Sequence, residues 1–527
     1  EVTGSCHFLQ AAGLNILVDC GMEQGNDVYE NQELPIAASD VDCILLTHAH
    51  IDHSGLIPLM YVNGFRGQVY STSATAQLCE IMLRDSAHIQ MFEAEWRNRK
   101  AARSGGKLKE FVPLYDMDAA VNVCKQFVGC EYDRVYDIAE GIKIRFTDVG
   151  HLLGSASIEV WATEKTENGD VTEKIVFSGD IGNINKPIIK DPKHVRDADY
   201  VVMESTYGNR SHGGTPNYVE DLTDIFKRTF ERGGNVVIPS FAVGRTQELL
   251  YIIRKIKEDN LVGRDFDVYM DSPLAIEATN IFIKNVESCF DDDAVELVRK
   301  GINPLSFPGL KYATTGDESK QINFDPNPKV IISSSGMCEA GRIRHHLKHN
   351  LWRPECTIVF VGYQAVGTTG RIIVDGAEEI KLFGEPIQIK AEIVQLKGSS
   401  GHADKDGLLC WINAFDTKPK KVFVVHGEDS VCDEFTECLK EEYGYDAMAP
   451  YTGGSYDLIA DRVISEGVKE RKTRRTTSTQ RGKTVFDRLV AAGKRLMTVI
   501  THNEGGTNKD LAKFTDQINA LCDKWDR

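Results

Sequence analysis

The segment LLTHAHIDHSG, residues 45–55, places three histidines and an aspartate within six positions directly after an apolar run. The preceding residues CILLT (43–47) have the pattern of a buried parallel strand. The polar side chains therefore follow the carboxyl end of a strand, where open α/β sheets place their sites. A polar surface turn is the alternative, but so many ligand-type side chains in one loop favour a metal site. They are His48, His50, Asp52 and His53.

Length, charge and cysteine content limit the number of domains, the kinds of partner and the cellular environment that the chain is expected to have. A chain of 527 residues exceeds one ordinary hydrophobic core, so two or more domains are expected. The net charge of -17 argues against non-specific coating of nucleic acid, but it leaves room for a local basic groove. The 13 cysteines are scattered without a C-x-x-C pair, which fits a reducing, cytoplasmic environment. No apolar run is long enough to span a bilayer, so no membrane association is expected.

Apolar strands alternate with helical stretches, which predicts an α/β protein with a mixed sheet. A second α/β pattern begins after YVVMESTYG (200–208), and strands that end in histidine return at KKVFVVHGE (420–428). The first domain is therefore expected to resume after an insertion. We predict residues 1–199 and 388–460 as its two parts, residues 200–387 as the inserted domain, and residues 461–527 as a basic linker and a helical extension.

Three more ligand-type residues stand at comparable strand ends. They are His151 in VGHLLGSA, Asp180 in SGDIGN and His426 in VVHGE. Histidine nitrogen and carboxylate oxygen are the ligands that zinc prefers when thiolates are absent. Seven such groups are too many for one tetrahedral ion, so they indicate a site for two metal ions.

The H-x-H-x-D-H loop with its separated His, Asp and His resembles the metallo-β-lactamase superfamily, which implies an αββα sandwich and two Zn²⁺ per chain. By motif position, the resemblance implies that His48, His50 and His151 hold one zinc, that Asp52, His53 and His426 hold the other, and that Asp180 bridges both. Asp19 in LVDCG matches the first family motif, an aspartate that supports the metal loop from behind. For Asp19 alone, a carboxylate that caps a turn is an equal alternative.

The segments MESTYGNR, SSGHAD and VVHGE resemble motifs A, B and C of the β-CASP nucleases, whose inserted domain is α/β. In that resemblance Glu204, His402 and His426 are the motif residues. With histidine at motif C, the chain resembles the RNA-directed members of this family. These include bacterial and archaeal relatives of the cleavage-and-polyadenylation endonuclease. The resemblance implies hydrolysis of single-stranded RNA to 5′-phosphate and 3′-hydroxyl ends by endonuclease action, and it leaves an additional 5′ exonuclease action open. It also leaves a homodimer open, since relatives often pair.

Phosphodiester hydrolysis needs a proton donor for the departing oxygen besides the metal ions. His402 is the candidate general acid, and Glu204 is expected to bond to it, fix its tautomer and raise its proton affinity. Asp52 and Asp180 complete the predicted catalytic set as metal ligands.

The segments SFAVGRTQELL (240–250), SSSGMCEAGRIRHHL (333–347) and VGTTGRI (366–372) predict contacts with RNA. The first two set small residues after a strand and then open a helix, a geometry in which backbone N–H groups can face phosphates. Ordinary strand-to-helix turns with solvated arginines remain an alternative. The candidates are Arg245, Ser335, Gly336, Arg342, His346, Thr368, Thr369 and Arg371.

Two other functions compete with the ribonuclease hypothesis. A small-molecule ester, thioester or lactam hydrolase of the same superfamily would share the ligands, but it would not need the long insertion or the pair of His402 and Glu204. An inactive RNA-binding scaffold should have lost ligands, and none is lost. Zinc itself is inferred from ligand type, and manganese could use the same oxygen and nitrogen donors.

Overall fold

A computed structural model describes residues 2–23, 34–103, 111–167, 169–211, 213, 217–396, 400–469, 485–505 and 507–525. The strands are β1 (His7–Ala11), β2 (Leu14–Val18), β3 (Cys43–Leu45), β4 (Gln68–Thr72), β5 (Phe127–Cys130), β6 (Val135–Ala139), β7 (Ile142–Asp148), β8 (Ala156–Thr166), β9 (Gly169–Phe177), β10 (Tyr200–Glu204), β11 (Val236–Pro239), β12 (Asp267–Met270), β13 (Leu310–Tyr312), β14 (Lys329–Ser333), β15 (Thr357–Phe360), β16 (Glu379–Leu382), β17 (Glu385–Gln388), β18 (Glu392–Gln395), β19 (Lys421–Val425), β20 (Ala447–Met448), β21 (Ser455–Asp457) and β22 (Arg462–Ser465).

The helices are α1 (Ile51–Ser54), α2 (Ile57–Val62), α3 (Ser73–Arg103), α4 (Met117–Cys124), α5 (Tyr218–Glu231), α6 (Arg245–Glu258), α7 (Pro273–Lys284), α8 (Val286–Cys289), α9 (Asp292–Arg299), α10 (Gly316–Phe324), α11 (Ile343–Asn350), α12 (Thr369–Val374), α13 (Lys405–Ile412), α14 (Asp429–Glu441), α15 (Val485–His502) and α16 (Asn508–Trp525). The last two helices lie where the sequence predicts a helical extension. None of the described helices combines the length and the apolar composition needed to cross a bilayer. Residues 470–484, which contain most of the predicted basic linker, lie outside the described residues.

Two sheets pack face to face in the first domain. One has the order β1-β2-β3-β4-β5, and the other has the order β20-β19-β10-β9-β8-β7-β6. A shared core joins Ile16 and Leu45 of the first sheet to Phe146 and Ile158 of the second. Helices α2 and α3 cover the outer face of the first sheet, and helices α13 and α14 cover that of the second. The result is the predicted αββα sandwich, with both parallel and antiparallel strand pairs in each sheet.

The inserted domain is built on a parallel sheet of order β13-β12-β14-β11-β15-β18. Strands β11, β14 and β15 are buried along their whole length, as expected for the centre of a parallel sheet between helices. Phe226 of α5 and Leu250 of α6 belong to the core on one face, and Leu347 of α11 belongs to the core on the other. The carboxyl ends of its strands share one edge, where loops of several strands meet.

Strand pairing moves both predicted boundaries of the insertion. Strand β10 pairs with β9 and β19, so the segment that begins at residue 200 still belongs to the first domain. Strand β18 pairs with β15, so the insertion continues beyond residue 387. By strand pairing alone, we therefore propose 205–396 as the bounds of the insertion, where the sequence predicts 200–387. Alternation of strands and helices reveals each element, but it does not reveal which sheet a strand joins.

Candidate metal centre

The metal-type residues lie where strands of the sandwich end. Strands β2 and β3 are parallel neighbours, so Asp19 and the loop after Leu45 emerge side by side. The Asp19 carboxylate accepts hydrogen bonds from the Thr47 amide at 2.8 Å and from the Thr47 hydroxyl at 2.9 Å. It also lies 2.8 Å from Nδ1 of His53. Asp19 thereby fixes the His53 ring with Nε2 directed away from the carboxylate, as a supporting residue behind a metal ligand does.

Three histidine nitrogens converge at the first cluster. Nδ1 of His50 lies 3.1 Å from Nε2 of His48 and 3.2 Å from Nε2 of His151. Nitrogens bound to one tetrahedral zinc at about 2.0–2.1 Å would lie about 3.3 Å apart, close to this spacing. Burial, with the neighbouring histidines, holds the pKa of His48 and of His151 well below the usual range. The rings are therefore neutral, the form that binds metal.

The second cluster contains Asp52, His53 and His426, and Asp180 stands between the two clusters. One Asp180 oxygen lies 3.4 Å from Nε2 of His48 and 3.5 Å from Nε2 of His151. The other oxygen lies 3.2 Å from Nε2 of His53 and 3.4 Å from Nε2 of His426. The carboxylate thus presents one oxygen to each cluster.

The buried polar atoms of the second cluster fit a metal ion. Among the described residues, Nε2 of His53, Nε2 of His426 and Oδ1 of Asp180 are buried without a hydrogen-bond partner. Each such atom costs about 1–3 kcal/mol if it stays unsatisfied. Burial lowers the pKa of His53, but Asp180 and Asp19 outweigh it and raise that pKa well above its usual value. The position therefore favours a positive charge, and its donor atoms are those that bind zinc.

Ser5 supports His426 and was missed by sequence reasoning. Its hydroxyl oxygen lies 2.7 Å from Nδ1 of His426, which leaves Nε2 directed at Asp180. No local motif marks a lone serine more than 400 residues from its partner. In the first cluster, the Gly401 carbonyl lies 3.2 Å from Nδ1 of His151, which leaves Nε2 of that ring directed at the cluster.

His402 and Glu204 form a pair at the border of the site. Nδ1 of His402 lies 3.0 Å from the Glu204 carboxylate, which ends β10 and is 1% exposed. The other Glu204 oxygen accepts a hydrogen bond from the Ile181 amide. Burial lowers the pKa of His402, but Glu204 and Asp180 together raise it to about 9. Nε2 of His402 lies 3.8 Å from Asp180, so the ring faces the two clusters of metal-type residues.

A charged cluster joins the two domains next to His151, and it contains a lysine that sequence reasoning missed. Nζ of Lys186 donates to the His151 carbonyl at 2.8 Å and lies 3.6 Å from the Glu248 carboxylate. Arg245, in the first turn of α6, pairs with the same carboxylate at 2.5 Å. Lys186 follows the Asp180 motif without any pattern of its own, so the sequence offered no signal for it.

The residues predicted to contact RNA meet at the carboxyl edge of the inserted sheet. Ser335 and Gly336 follow β14, and Thr368 caps α12 by accepting a hydrogen bond from the Arg371 amide. The Arg371 guanidinium pairs with Asp375 at 2.8 Å. The Thr369 amide donates to Glu339. These residues occupy neighbouring loops after β14 and β15.

Two of the predicted RNA contacts have structural partners instead. His346 is 0% exposed, with Nε2 2.6 Å from Asp271 and Nδ1 2.9 Å from Asn323. Its ring is therefore not available to RNA, contrary to the expectation from the sequence. Arg342 donates to Asp271 at 2.7 Å and to the carbonyls of Ala313 and Thr314. Most of its donors are thus used within the fold.

Comparison with known proteins finds three domain families along the chain. The metallo-beta-lactamase superfamily domain matches residues 8–183, and the Beta-Casp domain matches residues 246–373. The Zn-dependent metallo-hydrolase RNA specificity domain matches residues 386–450.

Curated relatives match most of the chain. It is 34% identical over 430 residues to Ribonuclease TTHA0252 of Thermus thermophilus, a match that covers 81% of this chain and 91% of that protein. It is 32% identical over 465 residues to Transcription termination factor FttA of Methanosarcina mazei, which covers 85% of this chain and 69% of that protein. The FttA protein of Methanocaldococcus jannaschii is 29% identical over 464 residues, with 85% and 69% covered.

The sandwich, its insertion and the clustered histidines and aspartates define a metal-dependent hydrolase of the metallo-β-lactamase superfamily. Within that superfamily the chain belongs to the β-CASP ribonuclease family.

Proposed function

We propose that this protein is a zinc-dependent ribonuclease that hydrolyses phosphodiester bonds of single-stranded RNA, with two Zn²⁺ per chain. The observation that carries the proposal is His402, held by Glu204 and directed at Asp180 between two clusters of metal-type ligands. A small-ester hydrolase would have no need of this proton donor. The RNA specificity domain and the relative named as a ribonuclease support RNA as the substrate.

The proposed ligand sets follow the two clusters. His48, His50 and His151 would hold one zinc ion, Asp52, His53 and His426 would hold the other, and Asp180 would contact both. When bound, two such ions supply a water nucleophile at neutral pH and neutralise charge on the scissile phosphate. Asp19, Ser5 and the Gly401 carbonyl keep the metal-binding nitrogens of three rings directed inward.

His402 acts as the general acid. Its Nδ1–H donates to Glu204, which fixes the ring and stabilises its protonated form. The attacking water releases one proton to solvent as its oxygen bonds to phosphorus, the bond from phosphorus to the 3′ oxygen breaks, and the proton on Nε2 of His402 passes to that oxygen. His402 then takes up a proton from solvent. The products are a 3′-hydroxyl and a 5′-phosphate. Cleavage within the strand is the proposed activity, and the same chemistry allows removal of nucleotides from the 5′ end.

Two basic side chains lie where the two domains meet, although the whole chain has a net charge of -17. Lys186 donates to the His151 carbonyl, and Arg245 pairs with the Glu248 carboxylate, which also lies 3.6 Å from Lys186. Basic side chains attract the phosphates of an RNA strand over a short range. We therefore propose that Arg245, Ser335, Gly336, Thr368, Thr369 and Arg371 border the RNA path.

The test combines metal content with product analysis. Zinc is measured by elemental analysis, and single-stranded RNA and the matching DNA are incubated with the protein before and after chelation. We expect two zinc ions per chain, cleavage of RNA that is lost on chelation and returns with zinc, and products that a 5′-phosphate-dependent exonuclease degrades. A zinc-loaded protein that cleaves a thioester but no RNA would overturn the proposal.

A further inference from the structure

Two large aromatic rings stand exposed at the carboxyl edge of the inserted sheet. Phe241 follows β11 and is 50% exposed, and Tyr363 follows β15 and is 55% exposed. Strands β11 and β15 are direct neighbours, so the two loops emerge side by side. Among the described residues, neither ring stacks on another aromatic side chain. Open sheets bind ligands at this edge, so the two exposed aromatic rings are candidates for contact with a ligand.

The Phe241 ring is held in place from one side. A Cβ atom on Gly336 would lie 3.1 Å and 3.2 Å from two carbons of this ring, so the ring packs directly over the Gly336 backbone. The Phe241 carbonyl accepts a hydrogen bond from the Thr246 hydroxyl at 2.7 Å, which ties the loop to α6. A ring fixed in this way loses little conformational entropy when a ligand covers its open side.

The Tyr363 loop is tied to the same backbone. The side-chain amide of Gln364 donates to the Gly336 carbonyl at 3.2 Å and to the Tyr363 carbonyl at 3.2 Å. The Ala365 amide lies 3.4 Å from the Met337 sulfur. The loops that carry the two aromatic rings are therefore parts of one connected edge.

This edge lies beside the metal centre. Gly244 comes three residues after Phe241, and a Cβ atom on it would lie 3.2 Å from the side chain of Leu152, the neighbour of His151. Three residues span at most about 11 Å, so Phe241 is within short reach of the His151 loop. The contact of Lys186 with both His151 and Glu248 joins the same two elements.

We propose that Phe241 and Tyr363 form a stacking platform for unpaired RNA bases next to the scissile phosphate. The inference rests on the proposed ribonuclease function. Every base has a π face, so such a platform is tolerant of sequence but needs bases that are not paired in a helix. The net charge of -17 disfavours binding through the RNA backbone alone, which gives base stacking a larger share of the affinity.

The test is a double-mutant cycle between protein and RNA, measured both by cleavage and by equilibrium binding. The protein variants are Phe241→Ala, Phe241→Trp and Phe324→Ala. The RNA is a single strand with a unique cleavage site, intact or with one base removed at successive positions around that site. Phe324→Ala is the matched control, because Phe324 is 72% exposed in the same domain but ends α10 before β14 begins, at the opposite edge of the sheet.

Phe241→Ala should weaken binding of the intact RNA roughly 5- to 150-fold, whereas Phe241→Trp and Phe324→Ala should bind as wild type does. At the position whose base stacks on Phe241, removal of the base should weaken wild-type binding by a similar factor. The Phe241→Ala variant should bind this abasic RNA as tightly as it binds the intact RNA. The platform would be overturned if the losses from Phe241→Ala and from base removal were additive at every position. It would also be overturned if Phe241→Ala bound the intact RNA with wild-type affinity. If coupling appears in binding while wild type cleaves no RNA, the platform stands and the proposed ribonuclease function fails.

Discussion

The Glu204 carboxylate, buried at the end of β10, lies 3.0 Å from Nδ1 of His402, whose other ring nitrogen faces Asp180. Two distant segments of the chain meet in this contact, because β10 pairs with β19 and the His402 segment runs between the inserted domain and α13. The proposed mechanism uses this pair as the proton donor beside the two clusters of metal-type residues.

Replacement of Glu204 by Gln should lower activity and shift its pH dependence. Against the effect of burial, Glu204 and Asp180 raise the pKa of His402 to about 9. A general acid works only when it is protonated, so activity falls as pH rises through that pKa. Loss of the Glu204 charge lowers the pKa, and the alkaline limb of the pH–rate profile should move to lower pH. An unchanged limb with normal zinc content would contradict the role of Glu204.

Replacement of Asp180 by Ala should release metal from both clusters. One carboxylate oxygen faces His48 and His151, and the other faces His53 and His426. Elemental analysis should find far less zinc than in wild type, and activity should be lost with it. The control is Asp197→Ala, an exposed carboxylate paired with Lys174, which should keep its zinc. Full zinc occupancy without Asp180 would rule out the bridging position.

Replacement of Asp19 by Asn should weaken zinc binding without loss of the fold. Asp19 has a φ of +59°, a backbone conformation that Asn also tolerates. The substitution removes the charged acceptor for His53, so zinc affinity should fall about 10- to 100-fold. Competition with a chromogenic chelator measures this directly. An affinity equal to that of wild type would favour the turn-capping interpretation of Asp19.

Asp271 should matter for stability rather than for catalysis. It is 0% exposed and accepts hydrogen bonds from Arg342 and Ser319, besides its contact with His346. Against burial, these hydrogen bonds hold the pKa of Asp271 below its usual value. Asp271→Ala leaves buried partners unpaired, so unfolding free energy should fall by about 3–5 kcal/mol.

The control for Asp271 is Asp267, the first residue of the strand β12 that Asp271 follows. Asp267 forms an exposed pair with Lys311, and its replacement by Ala should cost at most about 1 kcal/mol. Urea unfolding of both variants gives the comparison. Equal losses for Asp267 and Asp271 would show that the buried network contributes no more than a surface pair does.

The sequence was most informative where function sits at strand ends. His48, His50, Asp52 and His53 follow one apolar strand in a single loop, so the pattern predicted that they lie together, and the structure places them in two clusters that could hold metal ions. Ser5 and Lys186 were missed because each acts alone through a contact that folding creates. Sheet membership was missed for the same reason, since β19, one of the two partners of β10, lies more than 200 residues away.

The helical spacing around His346 already argues against the prediction that this residue contacts RNA. Ile343, His346, Leu347 and Asn350 follow the spacing i, i+3, i+4, i+7, and all are buried in α11. The apolar residues of that stripe mark the face that packs inward. A histidine on such a face is more consistent with a buried hydrogen-bond partner than with an RNA contact. Here the preceding glycine-rich turn outweighed the period of the helix in the prediction.

The most direct test of the central claim compares wild type with His402→Ala for zinc content and for cleavage of a 5′-labelled single-stranded RNA beside DNA of the same sequence. The variant should keep the wild-type amount of zinc, because His402 lies outside the two proposed ligand sets. It should lose about 10²- to 10⁴-fold in cleavage rate, while wild type cleaves the RNA and not the DNA. A His402→Ala protein that keeps both its zinc and its wild-type RNA cleavage rate would contradict the account.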